Sequence, residues 1–168
     1  MQTAADEDQV VAGASIAALV NRQAVQDIIQ STAALLDKED LEGWLAHFHQ
    51  ESEYRLIAYS AELRQQVTWW KASQKELAKQ LQEVPQHVRD PARRFHLVSP
   101  SRIDLKGTRA FSSSAFAIFR TLPSGETHFY AAGRYEDQLI REGGKWLYTS
   151  HIAHVDTRVF ESLTHLPL

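Results

Sequence analysis

The second half of the chain is a succession of strand-like segments joined by short turns, and this pattern restricts the fold more than any other feature. Residues 111–121, 127–141 and 146–156 are rich in β-branched and aromatic residues, which favour strands. Gly143 and Gly144 separate the last two segments, and two glycines are typical of a tight hairpin because both tolerate positive φ. Since no helical segment lies between these strands, they predict an antiparallel meander.

Helical patterns dominate the first half. Apolar residues recur at helical spacing over residues 15–37, and residues 41–48 form a shorter amphipathic segment. Residues 53–60 then alternate between apolar and polar side chains, which predicts a strand. A further strand-like run over residues 95–105 is interrupted by Pro100, which predicts an edge or a bulge there.

A third helix is predicted from its start signal. Ser73 and Glu76 are a serine and a glutamate three positions apart, which is the capping-box pattern of a helix N-terminus. The helix is predicted to run to about Val84, where Pro85 closes it.

These elements predict an α+β fold, with N-terminal helices packed on a strongly curved, mostly antiparallel sheet. A length of 168 residues suits one domain. We place that domain over residues 15–168 and expect residues 1–14 to be a flexible lead-in.

Composition excludes several classes of function. The chain has no cysteine, so it cannot form a disulfide, a thiolate zinc site, an iron–sulfur cluster or a cysteine nucleophile. Its net charge is -3 without a basic cluster, which argues against nucleic-acid binding. The apolar run over residues 10–20 is shorter than the roughly 20 residues that span a bilayer, and acidic residues precede it. We therefore expect a cytoplasmic protein without a membrane partner.

Two histidines near the C-terminus are the strongest candidates for chemistry. His151 and His154 have HxxH spacing, but residues three apart in a strand point to opposite faces, so a shared metal is not expected. His154 and Asp156 share a face and would form either an acid–base pair in a cavity or a polar pair at a sheet end or subunit interface. A metal set drawn from distant segments, such as His96 with His154 and Asp156, would need the fold to bring them together. We predict no catalytic, cofactor-binding or metal-binding residue in this chain.

The other histidines have structural interpretations. His47 and His49 lie near a predicted helix end, where the helix dipole favours a cation. His87 and His165 are next to predicted helix ends and are expected to face solvent. His128 follows a hairpin turn and is given no role.

Motifs of nucleophilic and nucleotide-binding enzymes are missing. The sequence contains no Gly-x-Ser-x-Gly, no GxGxxG and no GxxxxGK[ST]. Trp69 and Trp70 could stack on bases, but buried aromatics and interface anchors are the commoner use of such residues. The domain is therefore expected either to enclose a small-molecule cavity or to offer its sheet to partners.

Several short motifs, taken in order, resemble one family. They are residues 95–99 (FHLVS), 132–139 (AGRYEDQL), 144–146 (GKW), 155–156 (VD) and 166–168 (LPL). Together they resemble the small (β) subunit of bacterial aromatic-ring-hydroxylating dioxygenases, the Rieske non-haem iron oxygenases. The order of elements agrees over nearly the whole chain. Pro100 departs from the pattern, since an asparagine is frequent there.

The resemblance implies a fold, an assembly and a role. The fold is a cone-shaped barrel of the nuclear-transport-factor-2-like type, and the assembly is a mixed hexamer in which a trimer of small subunits supports three large catalytic subunits. The Rieske [2Fe-2S] cluster and the mononuclear iron are expected on the large subunit, with electrons supplied from NADH through a reductase. This chain would be the structural, non-catalytic subunit in the degradation of an aromatic compound, such as a benzoate- or salicylate-like acid.

Two alternative functions fit the same fold. One is a stand-alone isomerase or dehydratase that uses His154 and Asp156, and the other is a small-ligand-binding module. Under the subunit reading, contacts between subunits are predicted to involve Arg94, His96, Tyr135, Trp146, Leu166 and Leu168. Leu163, Leu166 and Leu168 are apolar in a region where chain ends are usually polar, so we expect them to dock against the sheet or a neighbouring subunit.

Overall fold

Helices and strands follow the predicted order, except that two strands instead of one lie between the second and third helices. The computed structural model describes residues 4–84, 90–160 and 166–168. Within them the elements are α1 (Ala4–Asp37), α2 (Leu41–Leu45), β1 (Phe48–Ser60), β2 (Gln65–Ser73), α3 (Gln74–Glu83), β3 (Arg93–Val98), β4 (Arg102–Lys106), β5 (Arg109–Thr121), β6 (Thr127–Glu142) and β7 (Lys145–Val155).

The seven strands form one curved sheet. Its order is β2-β1-β7-β6-β5-β3, and β4 also pairs with β5. Neighbouring strands are antiparallel, except that β1 pairs with β7 in parallel. The predicted α+β class, with helices packed against a curved and mostly antiparallel sheet, is confirmed.

The turn signals are confirmed as well. Gly143 and Gly144 have positive φ angles of 55° and 80° in the β6–β7 hairpin. The run interrupted by Pro100 is divided into β3 and β4, as the proline predicts. Gly133 has a different constraint, because a Cβ there would overlap the backbone carbonyl oxygen of His154 on β7.

α1 begins at Ala4, so helical structure extends into the segment that was expected to be a flexible lead-in. Its second half packs on the sheet through buried side chains, which are Val25, Ile28, Ile29, Ala33 and Leu36. The contact is tightened where the Asp37 carboxylate accepts the backbone N–H of His96 on β3.

The second helix is shorter than predicted. α2 ends at Leu45, and Phe48 begins a strand instead of closing the helix. Phe48 pairs with Tyr148 of β7, and its buried ring lies 5.1 Å from the Tyr148 ring and 4.4 Å from that of Trp44. Tertiary packing therefore overrides the local helical pattern.

β2 was not predicted, because its residues are mostly exposed and polar. The strand is held by pairing with β1 and by contacts of its two tryptophans. The Trp70 ring packs 5.2 Å from that of Tyr54, and its indole N–H donates to Gln80. Trp69 packs against Phe160 at 5.7 Å. Contacts within the chain account for the Trp70 ring, whereas the Trp69 ring stays 43% exposed.

The capping box of α3 is confirmed. Ser73 Oγ accepts the backbone N–H of Glu76, and the Glu76 carboxylate accepts the backbone N–H of Ser73 at 2.8 Å. The helix ends at Glu83 with Val84 as its C-cap, while Pro85 lies outside the described residues.

Replacing Ser73 with alanine is expected to lower the free energy of unfolding by about 1 kcal/mol, because one helix-start N–H loses its acceptor. Urea unfolding followed by circular dichroism measures this. Lys75→Ala, at an exposed position in the same turn, is the control and should stay within about 0.5 kcal/mol of the parent. Equal losses in the two variants would contradict a capping role.

Candidate functional site

The inner face of the sheet, which carries the buried side chains, contains a polar cluster of three residues. Ser112 on β5, Asp137 on β6 and His151 on β7 are direct neighbours in register. Asp137 accepts a hydrogen bond from Ser112 Oγ at 3.0 Å and pairs with His151 Nδ1 at 2.6 Å. All three residues are buried, and the Asp137 side chain is 0% exposed.

Aromatic rings surround this cluster. The ring of His151 lies 5.0 Å from Tyr135, 5.1 Å from Tyr148 and 5.7 Å from Tyr54. Phe48 and Trp44 approach it edge-on. The Nδ1 atom of this imidazole is bonded to the carboxylate. Any other molecule could therefore exchange a proton with His151 only through its second nitrogen, Nε2.

The order of the three residues matters for chemistry. A serine nucleophile needs its hydroxyl hydrogen-bonded to the histidine that removes its proton. Here Asp137 lies between Ser112 and His151, and both side chains bond to the carboxylate. The cluster is therefore not a nucleophilic triad, and its local chemistry is limited to a carboxylate-held imidazole.

Three of the buried tyrosines have a raised pKa. Burial raises the pKa of Tyr135 and Tyr148 well above its ordinary value, and also raises the pKa of Tyr54. Tyr54 Oη accepts the backbone N–H of Leu168, and Tyr148 Oη bonds to Thr32.

These phenols are expected to ionise only when the chain unfolds. A tyrosine in the unfolded chain has a pKa of about 10. Because the folded pKa is higher, the free energy of unfolding is unaffected below about pH 10 and falls as the pH rises further, where the unfolded chain loses phenol protons that the folded chain keeps. Alkaline titration followed by phenolate absorbance and circular dichroism should show three ionisations coincident with unfolding. Tyr135→Phe should remove one of them. Ionisation of all tyrosines before unfolding would contradict the assignment.

A second buried pair joins β3 to the end of α1. His96 Nδ1 lies 2.6 Å from Asp37 Oδ1, and the His96 side chain is 0% exposed. On the same strand, Arg94 donates to the carbonyl oxygen of Pro167 at 3.3 Å. Burial lowers the pKa of Arg94, and nearby tyrosines and carboxylates oppose that shift. Both contacts tie the sheet to other segments of the same chain.

His154 and Asp156 form neither the acid–base pair nor the polar pair that the sequence analysis considered. His154 lies on the outer face, since it alternates with buried His151 and Val155, and its Nε2 bonds Glu136 at 2.8 Å. Asp156 is exposed beyond the end of β7, where its backbone N–H donates to the carbonyl oxygen of Ala132. β7 ends at Val155, immediately before Asp156, so the alternation of side chains along a strand does not apply to Asp156. The opposite orientation of His151 and His154 is confirmed.

The remaining histidines that the structure describes do not form a site. His47 Nδ1 bonds the carbonyl oxygen of Gly43, and His49 lies 3.4 Å from Glu142. His128 is exposed on β6, while His87 and His165 lie outside the described residues. Among the described residues, no group of three or more histidine, aspartate and glutamate side chains is placed to hold a metal ion. In the same part of the chain, no helix has the length and apolar content to cross a membrane.

The residues predicted at subunit contacts lie mainly within the fold of this chain. Tyr135, Trp146, His96 and Leu168 are buried, and Arg94 and Leu166 are half-buried. Tyr135 stacks on Phe116 with ring centroids 4.3 Å apart. Their part in subunit contacts stays a prediction. The expected docking of Leu166 and Leu168 against the core is confirmed, whereas Leu163 lies outside the described residues.

Among the residues that the structure describes, large exposed apolar side chains form three surface clusters that the sequence analysis did not define. The ridge cluster lies on α1 and consists of Ile16, Leu19 and Val20. The sheet cluster lies on the outer face of the sheet and consists of Phe95, Leu97 and Phe129. The groove cluster lies beside the β1–β2 turn and consists of Tyr59, Leu63, Trp69 and Val159. Exposed apolar patches mark sites of protein contact. Alternation along the strands identifies such positions only once it is known which face the helices cover.

Comparison with known proteins gives the family. The model of the SnoaL-like domain matches residues 17–151. The β subunit of 2-aminobenzenesulfonate 2,3-dioxygenase from an Alcaligenes species is 30% identical over 146 residues, which is 86% of this chain and 97% of that protein. The β subunit of the methanesulfonate monooxygenase hydroxylase from Methylosulfonomonas methylovora is 27% identical over 155 residues, or 86% of each chain.

A solved structure agrees in fold. A crystal structure assigned as the β subunit of an aromatic-ring-hydroxylating dioxygenase from Novosphingobium aromaticivorans superposes with a TM-score of 0.76. It covers 85% of this chain and 94% of its own, at 24% identity. At that identity the likeness shows a shared fold.

Proposed function

The chain belongs to the SnoaL-like domain family and, within it, to the β subunits of oxygenases, and we propose that it is the structural, non-catalytic small subunit of a Rieske non-haem iron oxygenase. The observation that carries the proposal is the end-to-end similarity to a dioxygenase β subunit, at 30% identity over 97% of that subunit. A supporting role also suits the surface. Its three exposed apolar clusters could contact more than one neighbouring subunit.

The iron groups are proposed to reside on a large partner subunit. A Rieske cluster needs two thiolates and two imidazoles, and this chain has no cysteine. A mononuclear iron of this type needs two histidines and a carboxylate on one side of the metal. The histidines of β7 point to opposite faces, and His96 is paired with Asp37 elsewhere in the fold. The side chains that the structure describes therefore fit neither group.

The proposed assembly is a trimer of this chain within a mixed hexamer of small and large subunits. Electrons would reach the large subunit from NADH through a reductase, and the complex would lie in the cytoplasm. We propose an organic acid anion as substrate, most simply an aromatic sulfonate or carboxylate. The support is that one relative is named for an aromatic sulfonate, another for methanesulfonate and a third for terephthalate, an aromatic carboxylate.

Co-expression with the Rieske large subunits of the same genome tests the role. We expect one of them to co-purify as a complex of hexameric mass, with all iron on the large subunit by elemental analysis. His154→Ala and Asp156→Ala should lower turnover only as far as they lower assembly. A large loss of rate in an intact complex, or stoichiometric iron on this chain, would contradict a non-catalytic subunit.

A second candidate function is favoured by one observation, the carboxylate-held imidazole of His151 on the inner face. Such a pair could act as a general base or acid in an isomerase or dehydratase. His151→Asn separates the two candidates, because its amide can donate to Asp137 but cannot transfer protons at neutral pH. Unchanged turnover in the assembled complex supports the structural role, whereas loss of a reaction catalysed by the isolated chain supports the enzyme.

A further inference from the structure

We propose that the N-terminal half of α1 docks into the groove of a neighbouring copy of this chain. The docking element is the ridge cluster, and its acceptor is the groove cluster together with Val67. The inference rests on the self-association included in the proposed function and names the two surfaces that would carry it.

The ridge faces away from the domain to which it belongs. Ile16, Leu19 and Val20 share one side of the helix and are 61%, 66% and 62% exposed. The residues nine positions later are buried against the sheet; they are Val25, Ile28 and Ile29. Nine residues are about two and a half turns at about 3.6 residues per turn, so the two sets lie on opposite sides of α1. Bending the helix toward its own sheet would therefore not bury the ridge.

This part of the helix also lacks support from its own chain. Every residue from Ser15 to Val20 is exposed. An isolated helix shorter than about 12–15 residues is marginal in water, and most helices in proteins are stabilised by packing of an apolar face. A projecting helix with an exposed apolar ridge is thus expected to pack against another chain.

The groove has the shape and chemistry to receive such a ridge. It has a volume of about 360 Å³, and Tyr59, Leu63, Trp69 and Val159 are among its lining residues. Trp69 is held in place by its edge-on contact with Phe160. An amphipathic helix that lays its apolar face in a hydrophobic groove is a common mode of recognition, with anchors at helical spacing.

The two surfaces lie at opposite edges of the sheet. Side-chain contacts show that α1 runs antiparallel to β3 and β4; in order they are Asp37 to His96, Gln30 to Val98, Gln26 to Ser101 and Arg22 to Ile103. The ridge therefore lies on the side of the β3–β4 edge, whereas the groove adjoins β2 at the other edge of the sheet. A contact between unlike surfaces of identical chains is head-to-tail, and it forms a ring when the rotation closes.

Charge favours the same pairing. Asp6, Glu7 and Asp8 are the only charged residues among the first 21. Arg158 and Glu62 both line the groove and form a 3.6 Å ion pair, so together with Arg64, which follows Leu63 in the chain, these groove residues carry a net charge of +1. Because one chain carries both the acidic apolar helix and the groove with arginines beside it, a second copy satisfies both surfaces at once.

Cross-linking tests the pairing directly, since the chain has no native cysteine. Leu19→Cys and Leu63→Cys variants, both at exposed positions, are refolded separately and together, with and without the large subunit, and treated with a short bis-maleimide. We expect a covalent dimer only in the mixture, and a ladder up to the ring size from the double variant. Ala18→Cys mixed with Leu63→Cys is the control, because residue 18 lies on the other side of the helix.

A complementary measurement uses charge. Leu19→Glu should raise the concentration at which the trimer dissociates at least about tenfold, whereas Ala18→Glu should leave it unchanged. Analytical ultracentrifugation measures both, and equal shifts would overturn the proposal.

The other outcomes are distinguishable. Cross-linking of Leu19→Cys to itself or to the large subunit would overturn the proposal, because the ridge would then meet a different surface. Absence of any cross-link in an assembly of unchanged mass would also overturn it and leave the proposed function intact. If this chain formed a complex with none of the large subunits, the proposed function would be overturned. Cross-linked rings of this chain alone would still support the contact between ridge and groove.

Discussion

Asp137→Ala is expected to lower the free energy of unfolding by about 3 kcal/mol or more. The Asp137 carboxylate serves both Ser112 and His151, so its removal leaves two buried polar groups without a partner. Each unsatisfied buried group costs about 1–3 kcal/mol. Urea unfolding of the purified chain measures the loss, and retained far-ultraviolet circular dichroism shows that the variant still folds.

The adjacent residue provides the control. Glu136 also bonds a histidine of β7, His154, but on the outer face, and its side chain is 49% exposed. An exposed ion pair contributes about 0–1 kcal/mol, so Glu136→Ala should have a small effect. If Asp137→Ala and Glu136→Ala lowered the free energy of unfolding by similar amounts, burial would not be the reason for the larger contribution expected of the inner pair.

Local signals in the sequence predicted the elements whose causes are local. Gly143 and Gly144 identified the last hairpin through their φ preference, and Ser73 with Glu76 identified the start of α3. Pro100 placed the interruption between β3 and β4. Each signal acts within a few residues, so it can be read without knowledge of the fold.

The elements that depend on distant partners were missed. The parallel pairing of β1 with β7 joins segments about a hundred residues apart, and no local pattern encodes it. β2 is stabilised by β1 and by the packing of its tryptophans, although its own residues are mainly polar. The family resemblance supplied the architecture that periodicity alone did not.

The same limit explains the errors at the candidate site. Alternation showed that His151 and His154 face opposite ways, but not which face the helices cover. The partners of both histidines come from β6, which lies beside β7 in the sheet. Asp137 and Glu136 are adjacent in sequence and serve opposite faces, so only the register assigns each carboxylate to its histidine.

Leu168→Ala is expected to lower the free energy of unfolding by about 2–5 kcal/mol, the range for truncating a buried leucine. Leu168 is 0% exposed, and its backbone N–H donates to Tyr54 Oη at 3.1 Å. The neighbouring Pro167 is held through its carbonyl oxygen by Arg94. Pro167 and Leu168 are therefore part of the core, and thermal unfolding of Leu168→Ala should show a clear decrease in melting temperature.

Two variants separate packing from hydrogen bonding at this position. Tyr54→Phe keeps the ring but removes the acceptor for Leu168, and should cost about 1–3 kcal/mol through the unsatisfied N–H. Asp156→Ala, at an exposed position just beyond β7, should stay within about 0.5 kcal/mol of the parent. A stable Leu168→Ala variant that nevertheless fails to assemble would place Leu168 at a subunit contact, because packing within one chain predicts loss of stability before loss of assembly.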